Sequence, residues 1–269
     1  MGDTTGIAWT DHTWNPWQGC TKVSEACKNC YMFRDKKRYG QDPEVVTRSA
    51  RQTFNLPLAK FGTRSTKGKP GEFKWPDGGR VFVCSWSDFF HADADAWREE
   101  AWEVMRQRPG LTFQLLTKRP ERIEQCLPDD WGDQYSNNEG YPNVWLGVTV
   151  ENQLRASERL GALVRIPAAA RFVSAEPLLG SLDLNRVSTR LTKQTTLTLD
   201  LLHRGIDWVI VGGESGPGAR AMNPAWASHL LNQCQEAGVA FFLKQMHQEG
   251  REMLPIPQDL MVREFPNGR

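Results

Sequence analysis

Three of the six cysteines lie within a single stretch of eleven residues, at Cys20, Cys27 and Cys30. Thiols held close together in a reducing compartment usually bind a metal or carry out redox chemistry. A closed zinc site takes four ligands, and an iron–sulfur cluster held by protein alone also takes four. Three clustered thiols can hold a [4Fe–4S] cluster and leave one iron free for a non-protein ligand. The remaining cysteines stand singly, at Cys84, Cys126 and Cys234.

Two other interpretations of the cysteine stretch remain open. The three thiols could hold a structural zinc ion in a nucleic-acid-binding protein, with Cys84 or a histidine as the fourth ligand. The pair Cys27-x2-Cys30 could also act as the dithiol of a redox protein, although the additional Cys20 and the missing thioredoxin-like context count against it. The five histidines show no metal-ligand spacing.

The composition favours a cytoplasmic protein with one large core. The chain has 269 residues, of which 39% are hydrophobic, and its cysteines are too few for a disulfide scaffold. It contains no signal-peptide pattern and no run of about eighteen apolar residues. We therefore expect no membrane association.

The charge is unevenly distributed, although the whole chain carries a formal net charge of only +1. Residues 34–80, the basic segment, contain twelve Lys or Arg and five Asp or Glu, a local charge of +7. Basic residues mixed with aromatic ones can bind nucleic acid through phosphate contacts and base stacking. A solvated surface of loops and helices is the other interpretation. The aromatic residues of the segment are Tyr39, Phe54, Phe61, Phe73 and Trp75.

Hydrophobic periodicity predicts an alternation of strands and helices from residue 80 onward. The basic segment is predicted to hold one or two helices, broken near residues 42–43, and a long loop at 62–79. Residues 185–204 are predicted as helix-like or irregular, 128–142 as an irregular insert, and the tail after 248 as loosely structured. Strands are predicted at 7–10, 80–85, 112–116, 143–150, 170–174, 206–211 and 239–243. Helices are predicted at 94–107, before Cys126, at 152–164 and at 224–237.

Repeated strand–helix units predict a parallel sheet covered by helices. The chain lacks both a Gly-x-Gly-x-x-Gly sequence after its first strand and a phosphate-binding Walker loop, which argues against a dinucleotide-binding fold. We therefore predict an α/β fold, a partial (β/α) barrel of about six to seven parallel strands. A single domain would span residues 1–269, with the basic segment as a loop-rich insertion.

Polar or charged residues follow every predicted strand, where barrel enzymes carry their chemistry. We expect these side chains and the three cysteines to meet at one mouth. A carboxylate in such a place could instead cap the next helix, and the two glycines could simply form a tight turn. The residues concerned are Ser85, Asp88, His91, Thr117, Lys118, Arg119, Thr149, Glu151, Ser174, Glu176, Gly212, Gly213, Glu214, Ser215, Lys244 and Gln245.

The pattern Cys20-x6-Cys27-x2-Cys30-Tyr31 resembles the cluster-binding loop of radical S-adenosylmethionine enzymes. Six residues separate Cys20 from Cys27 where that superfamily usually has three, and Asn29 stands where an aromatic residue usually precedes the last cysteine. The chain as a whole is similar to the phage Gp37/Gp68-type family of uncharacterised radical-SAM-like proteins. Other stretches that carry this resemblance are residues 7–16, 116–121, 146–151, 173–180, 208–216 and 242–245.

The resemblance implies that Cys20, Cys27 and Cys30 hold a [4Fe–4S] cluster whose open iron binds S-adenosylmethionine. Reduction by an electron donor would then generate a 5′-deoxyadenosyl radical that abstracts a hydrogen atom from a substrate, which the basic segment suggests is a nucleic acid or nucleotide. By this analogy Glu214 and Lys244 face the substrate in catalytic roles. The residues assigned to the cofactor are Ser85, Asp88, Thr117, Lys118, Thr149, Glu151, Glu176, Gly212 and Gly213.

Overall fold

Seven parallel strands form one sheet at the centre of the fold. The computed structural model describes residues 5–63, 65–132, 139–190, 196–203 and 205–266. The order of the strands in the sheet is the same as their order in the sequence. The sheet therefore winds in one direction and curls into a half-barrel. The strands are β1 His12–Trp14, β2 Arg80–Val83, β3 Thr112–Thr117, β4 Val144–Thr149, β5 Ala170–Ala175, β6 Trp208–Gly212 and β7 Ala240–Gln245.

Six α-helices accompany the sheet in the part of the chain that is described, and α6 illustrates how the sequence sets their ends. The Asn223 side chain accepts a hydrogen bond from the Ala225 backbone, Pro224 occupies the first turn, and Gly238 ends the helix in a left-handed conformation. No described helix is both long and apolar enough to cross a membrane. The helices are α1 Tyr31–Arg38, α2 Arg51–Phe54, α3 Asp95–Arg106, α4 Ile123–Cys126, α5 Gln153–Leu163 and α6 Pro224–Ala237.

The two faces of the sheet bury separate hydrophobic clusters, because successive side chains of a strand point to opposite faces. The larger cluster lies between the sheet and the helices. The smaller cluster fills the inside of the half-barrel with aromatic rings, which accounts for several of the eleven tryptophans. Gly147 of β4 is needed there, because a Cβ atom would lie 2.4 Å from the ring of Phe172. The inner cluster comprises Trp9, Trp145, Ala170, Phe172, Trp208, Ile210 and Phe242.

The predicted partial barrel is confirmed, but the predictions for residues 7–10 and 185–204 are wrong. Residues 7–10 do not form the first strand, because Trp9 turns inward to pack on Phe82 and Trp208. The segment predicted as helix-like or irregular at 185–204 contains two antiparallel strands, Val187–Arg190 and Thr196–Leu199, while residues 191–195 and 204 lie outside the described residues. Residues 133–138 of the predicted insert lie outside the described residues.

The described part of the tail after residue 248, which ends at residue 266, packs against the last strand, whereas a loosely structured tail was predicted. The Glu264 backbone donates to the Phe241 carbonyl, and the Leu243 backbone donates to the Val262 carbonyl. The Phe265 ring also packs on Trp208, with 5.3 Å between ring centroids. The tail therefore covers the exposed edge of β7 and helps to close the inner cluster.

Most aromatic side chains of the basic segment pack inward. Phe54 and Trp75 are buried, Phe61 and Phe73 are half-buried, and only Tyr39 is largely exposed, at 69%. Base stacking on this segment would therefore fall mainly to Tyr39. The described part of the segment contains the end of α1, a two-residue strand at Thr47–Arg48, α2, a 3₁₀ turn at Leu56–Leu58 and a bridge between Lys60 and Phe73.

Candidate functional site

A cavity opens at the carboxyl ends of the parallel strands. Its wall contains all three clustered cysteines and most of the strand-end residues predicted to form a site. Glu151 and Gly212 do not line it. The predicted site residues that do line it are Cys20, Cys27, Cys30, Ser85, Asp88, Thr117, Lys118, Thr149, Glu176, Gly213, Glu214 and Lys244.

The cysteine loop, defined here as residues 19–30, begins at a position that requires glycine. Gly19 has φ +101°, and a Cβ atom would lie 2.2 Å from the carbonyl oxygen of Val45. Its backbone N–H donates to the Trp86 carbonyl at 3.0 Å, and its own carbonyl accepts from the Ser87 hydroxyl at 2.5 Å. The loop is therefore fixed to the end of β2 immediately before its first cysteine.

Arg119, which follows β3, joins the cysteine loop to a buried carboxylate. It donates to Asp88 at 3.1 Å, and the two side chains are only 8% and 6% exposed. The same guanidinium donates to the Cys20 sulfur at 3.5 Å and to the Thr21 carbonyl at 2.8 Å. Asp88 also accepts from the Thr117 hydroxyl at 2.7 Å. Asp88 and Thr117, predicted to bind the cofactor, therefore hold Arg119 in place.

His91 supports the same end of the loop. Its Nδ1 accepts from the Asp93 backbone, so Nε2 carries the proton, and Nε2 lies 3.1 Å from the Thr21 hydroxyl oxygen. Burial and the neighbouring Arg119 charge lower the pKa of His91. A neutral imidazole with this tautomer is a hydrogen-bond donor to the loop.

The middle of the cysteine loop is bound through Glu25. Its carboxylate accepts from Arg155 of α5 at 2.8 Å and from the Asn152 amide at 2.5 Å. The hydrogen bond from Arg155 is the main reason that the pKa of Glu25 falls to about 2. The carboxylate is therefore ionised at neutral pH and ties the loop to the end of β4.

The last part of the loop is bound through Asn29 and Glu214. The Asn29 amide donates to Glu214 at 2.9 Å, and Glu214 also pairs with Arg220. Arg220 donates in turn to the Glu25 carbonyl at 3.0 Å. Burial alone would raise the pKa of Glu214, but the hydrogen bonds from Arg220 and Asn29 outweigh it and the pKa is lowered. Glu214 is only 7% exposed and is committed to holding the loop.

Glu176 and Lys244 form an ion pair across the cavity wall, from the ends of β5 and β7. The side chains are 19% and 20% exposed, so both can reach a bound ligand. On the other side of the cavity, the Ser85 hydroxyl accepts from the Asn15 amide at 3.0 Å, and the Tyr31 hydroxyl donates to the Ser85 carbonyl at 2.5 Å.

Three buried polar atoms in the cavity wall have no hydrogen-bond partner among the described residues. They are the hydroxyls of Thr149 and Ser174 and the indole N–H of Trp9. The two hydroxyl residues are paired in register on β4 and β5, so they lie side by side. Since buried polar groups are normally hydrogen-bonded, these atoms indicate where a polar ligand or water would bind.

Two predicted ligand-binding features have structural roles. Glu151 is fully buried, pairs with Arg159 at 2.8 Å and does not line the cavity. A Cβ atom on Gly213 would lie 2.4 Å from the backbone nitrogen of His247, so that glycine accommodates the neighbouring chain. Gly212 similarly lies against Glu176. The space that a side chain would occupy at these glycines is therefore filled by other residues of the protein.

The donor chemistry of the cysteine loop fits an iron–sulfur cluster, because three thiols from one short loop line a single cavity. Burial raises the pKa of the Cys20 thiol to about 11, with Asp88 adding to the effect, while Arg119 opposes it. Cys84 lines the same cavity. Within the described ranges, no three His, Cys, Asp or Glu side chains are grouped in a way that could hold a metal ion.

The fold and the cavity define a partial (β/α) barrel protein whose strand ends surround a three-cysteine loop. The chain belongs to the family described as protein of unknown function DUF5131, whose model matches residues 4–263. No curated protein and no solved structure matches the chain.

Proposed function

We propose that this protein is a radical S-adenosylmethionine-type enzyme that holds a [4Fe–4S] cluster through Cys20, Cys27 and Cys30. The observation that supports this most strongly is that all three thiols line the cavity at the strand ends. The resemblance to the Gp37/Gp68-type family points in the same direction. Binding the cluster would have to bring the three sulfur atoms together.

The bound cofactors would supply one-electron cleavage of the sulfonium of S-adenosylmethionine, with the electron coming from an external low-potential donor. The protein would orient and shield them. Thr149 and Ser174 offer unpaired hydroxyls to polar groups of a ligand. Lys244 and Glu176 present a charged pair to the same cavity, so Lys244 keeps its proposed place beside the substrate.

We assign Glu214 a positioning role in place of the catalytic role predicted from sequence. Its carboxylate is already occupied by Arg220 and Asn29, and Asn29 lies directly before Cys30. The Asp88–Arg119 pair has the equivalent role at Cys20. A hydrogen bond to a cluster-ligating sulfur is one of the means by which proteins set a cluster's reduction potential.

The first test is the iron, sulfide and zinc content of protein purified without oxygen, together with its visible spectrum. About four iron and four sulfide per chain, with absorbance that bleaches on reduction, would support the proposal. Cys20→Ser, Cys27→Ser and Cys30→Ser should each lose most of the iron. Cys234→Ser is the matched control, because that buried thiol lies on α6 away from the cavity.

Cofactor turnover is tested next, by measuring 5′-deoxyadenosine after reduction in the presence of S-adenosylmethionine. Protein that contains the cluster but never releases 5′-deoxyadenosine would contradict the enzyme proposal and leave the cluster proposal standing. Protein that contains neither iron nor sulfide, even after anaerobic reconstitution, would contradict both.

A structural zinc site in a nucleic-acid-binding protein is the second candidate, and the position of Cys84 favours it. Cys84 is 3% exposed and lines the same cavity as the clustered cysteines, so it could complete a set of four thiols. One zinc per chain that disappears in Cys84→Ser would support this candidate. The radical-enzyme proposal predicts full iron content in the same variant.

A further inference from the structure

The acidic side chains in the cavity wall are matched one to one by basic partners. Asp88 pairs with Arg119, Glu176 with Lys244 and Glu214 with Arg220. The opposite charges of each pair cancel. The net charge of the cavity wall is therefore set by charged residues that belong to none of these pairs.

Lys118 is such a residue. It lines the cavity directly after the end of β3. Its backbone N–H donates to Asp88, but its ammonium group has no acidic partner in the ranges that the structure describes. It is partly exposed, so the charge can be reached by a ligand. The wall therefore carries one uncompensated positive charge beside the cysteine loop.

The cysteine loop and α1 each contribute residues to the cavity wall, and these two elements, the rim, carry further positive charge. The acids of this rim are already paired, Glu25 with Arg155 and Asp35 with Arg34. Beyond the end of α1, Asp42 and Glu44 offset part of the charge. The exposed rim cations that have no ion pair among the described residues do not themselves line the cavity; they are Lys22, Lys28, Lys37 and Arg38.

We propose that the substrate is phosphorylated, that Lys118 binds one of its phosphate groups inside the cavity, and that the rim cations bind further phosphates outside it. This inference deepens the proposed function and rests on it for the identity of the site. A single carboxylate would need one cation, whereas cations in the wall and on the rim together suit a ligand with several negative charges. An ammonium group suits phosphate because its compact charge does not depend on bidentate geometry.

The exposed side chain of Tyr39 follows these rim cations directly in sequence. An aromatic ring next to basic residues can stack on a nucleobase. A short single-stranded oligonucleotide is therefore the longer of two suitable probes, and pyrophosphate is the shorter. The two probes distinguish binding inside the cavity from binding along the rim.

The test measures the affinity of the full chain, purified without oxygen, for fluorescein-labelled 5′-phosphorylated dT10 and for pyrophosphate as its competitor. Lys118→Gln should weaken the binding of both probes by about tenfold or more, and Lys118→Arg should retain most of the affinity. The double variant Lys37→Gln/Arg38→Gln should weaken the binding of dT10 but leave that of pyrophosphate unchanged. Lys74→Gln is the matched control, because Lys74 is an exposed lysine of the basic segment away from the cavity.

Wild-type affinity of Lys118→Gln for both probes would overturn the inference, and so would a wild-type protein that binds neither. The iron and sulfide content of each preparation is measured in parallel. Binding that depends on Lys118 in protein without iron would leave this inference intact while the cluster proposal fails. Protein that contains a full cluster but shows no binding that depends on Lys118 would support the cluster proposal and overturn this inference.

Discussion

Asp88 shows how a single buried charge can organise one side of the cavity. Its two carboxylate oxygens accept from Thr117, from the Lys118 backbone and from Arg119. Because all of these donors come from the segment that ends β3, the carboxylate joins that segment to the end of β2. Arg119 then extends the connection to Cys20. The position of Cys20 therefore depends on Asp88 through Arg119.

Asp88→Asn should destabilise the protein by about 3 kcal/mol, because it leaves the buried Arg119 without its charge partner. The free energy of unfolding in urea measures this effect. Asp95→Asn is the control, since that carboxylate is 54% exposed and its pairs with Arg98 and Arg122 should contribute about 1 kcal/mol or less. Equal losses of unfolding free energy in the two variants would show that the buried pair of Asp88 and Arg119 stabilises the protein no more than the exposed pairs of Asp95.

Glu214 should make folding stability dependent on pH. Its pKa in the folded state is lowered from 4.5, so the unfolded chain takes up this proton first as the pH falls. The stabilisation is complete above about pH 4.5 and is lost as the pH falls through the folded-state pKa. The difference in unfolding free energy between wild type and Glu214→Gln should therefore be largest near pH 7 and shrink below pH 4.5. A difference that does not change from pH 7 to pH 3 would contradict the assignment of the ion pair with Arg220.

At the scale of elements, the cysteine loop is bound to four strand ends. Gly19 contacts the segment after β2, Arg119 binds the loop from β3, Arg155 binds it from the start of α5, and Glu214 binds it from β6. A loop with so many separate attachments has few alternative conformations. The cysteines are therefore placed by the whole mouth of the half-barrel.

Gly19→Ala should destabilise the protein by about 2 kcal/mol or more and reduce iron incorporation, because the methyl group would collide with the Val45 carbonyl. Gly40→Ala is the matched control. Gly40 also has a positive φ, +69°, but a Cβ atom there would meet nothing within 4 Å. It should therefore cost only about 1 kcal/mol, from backbone strain. Similar losses of stability and iron in both variants would argue against the close contact at Gly19.

At the scale of the whole molecule, a half-barrel must close the inner side of its sheet without a full ring of strands. Here aromatic side chains fill that side, and the ordered tail covers the edge at β7. Trp208 lies at the centre of this packing. It contacts Trp9, Trp145, Phe172, Phe242 and Phe265, and its indole N–H donates to the Glu264 carbonyl at 2.9 Å.

Trp208→Ala should destabilise the protein by about 4 kcal/mol, because it removes the ring at the centre of the inner cluster and leaves a cavity. Trp226→Ala should cost about 2 kcal/mol or less, since that ring lies half-buried on α6. Urea unfolding of both variants tests the comparison. If the cost of the Trp208 change does not exceed that of the Trp226 change, the inner cluster does not stabilise the half-barrel.

The strand–helix order and the meeting of polar strand ends at one mouth followed from local sequence alone. Both depend on short-range patterns, namely apolar runs of strand length and polar residues that directly follow them. For the same reason, Lys118, Glu176 and Lys244 could be placed at the cavity before the structure was known. The three cysteines were evident from their spacing.

The tertiary structure alone decided which polar residues of the cavity wall hold the cysteine loop and which do not. Arg155 lies 130 residues from its partner Glu25, and Arg220 lies 195 residues from the same residue. Local sequence carries no signal for such pairs, so Glu214 and Glu176 look alike there, although Glu214 binds the cysteine loop and Glu176 binds Lys244 across the cavity wall. The inward turn of Trp9 and the ordered tail were missed for a related reason. Both segments are fixed by packing against strands that are distant in sequence, rather than by any period of their own.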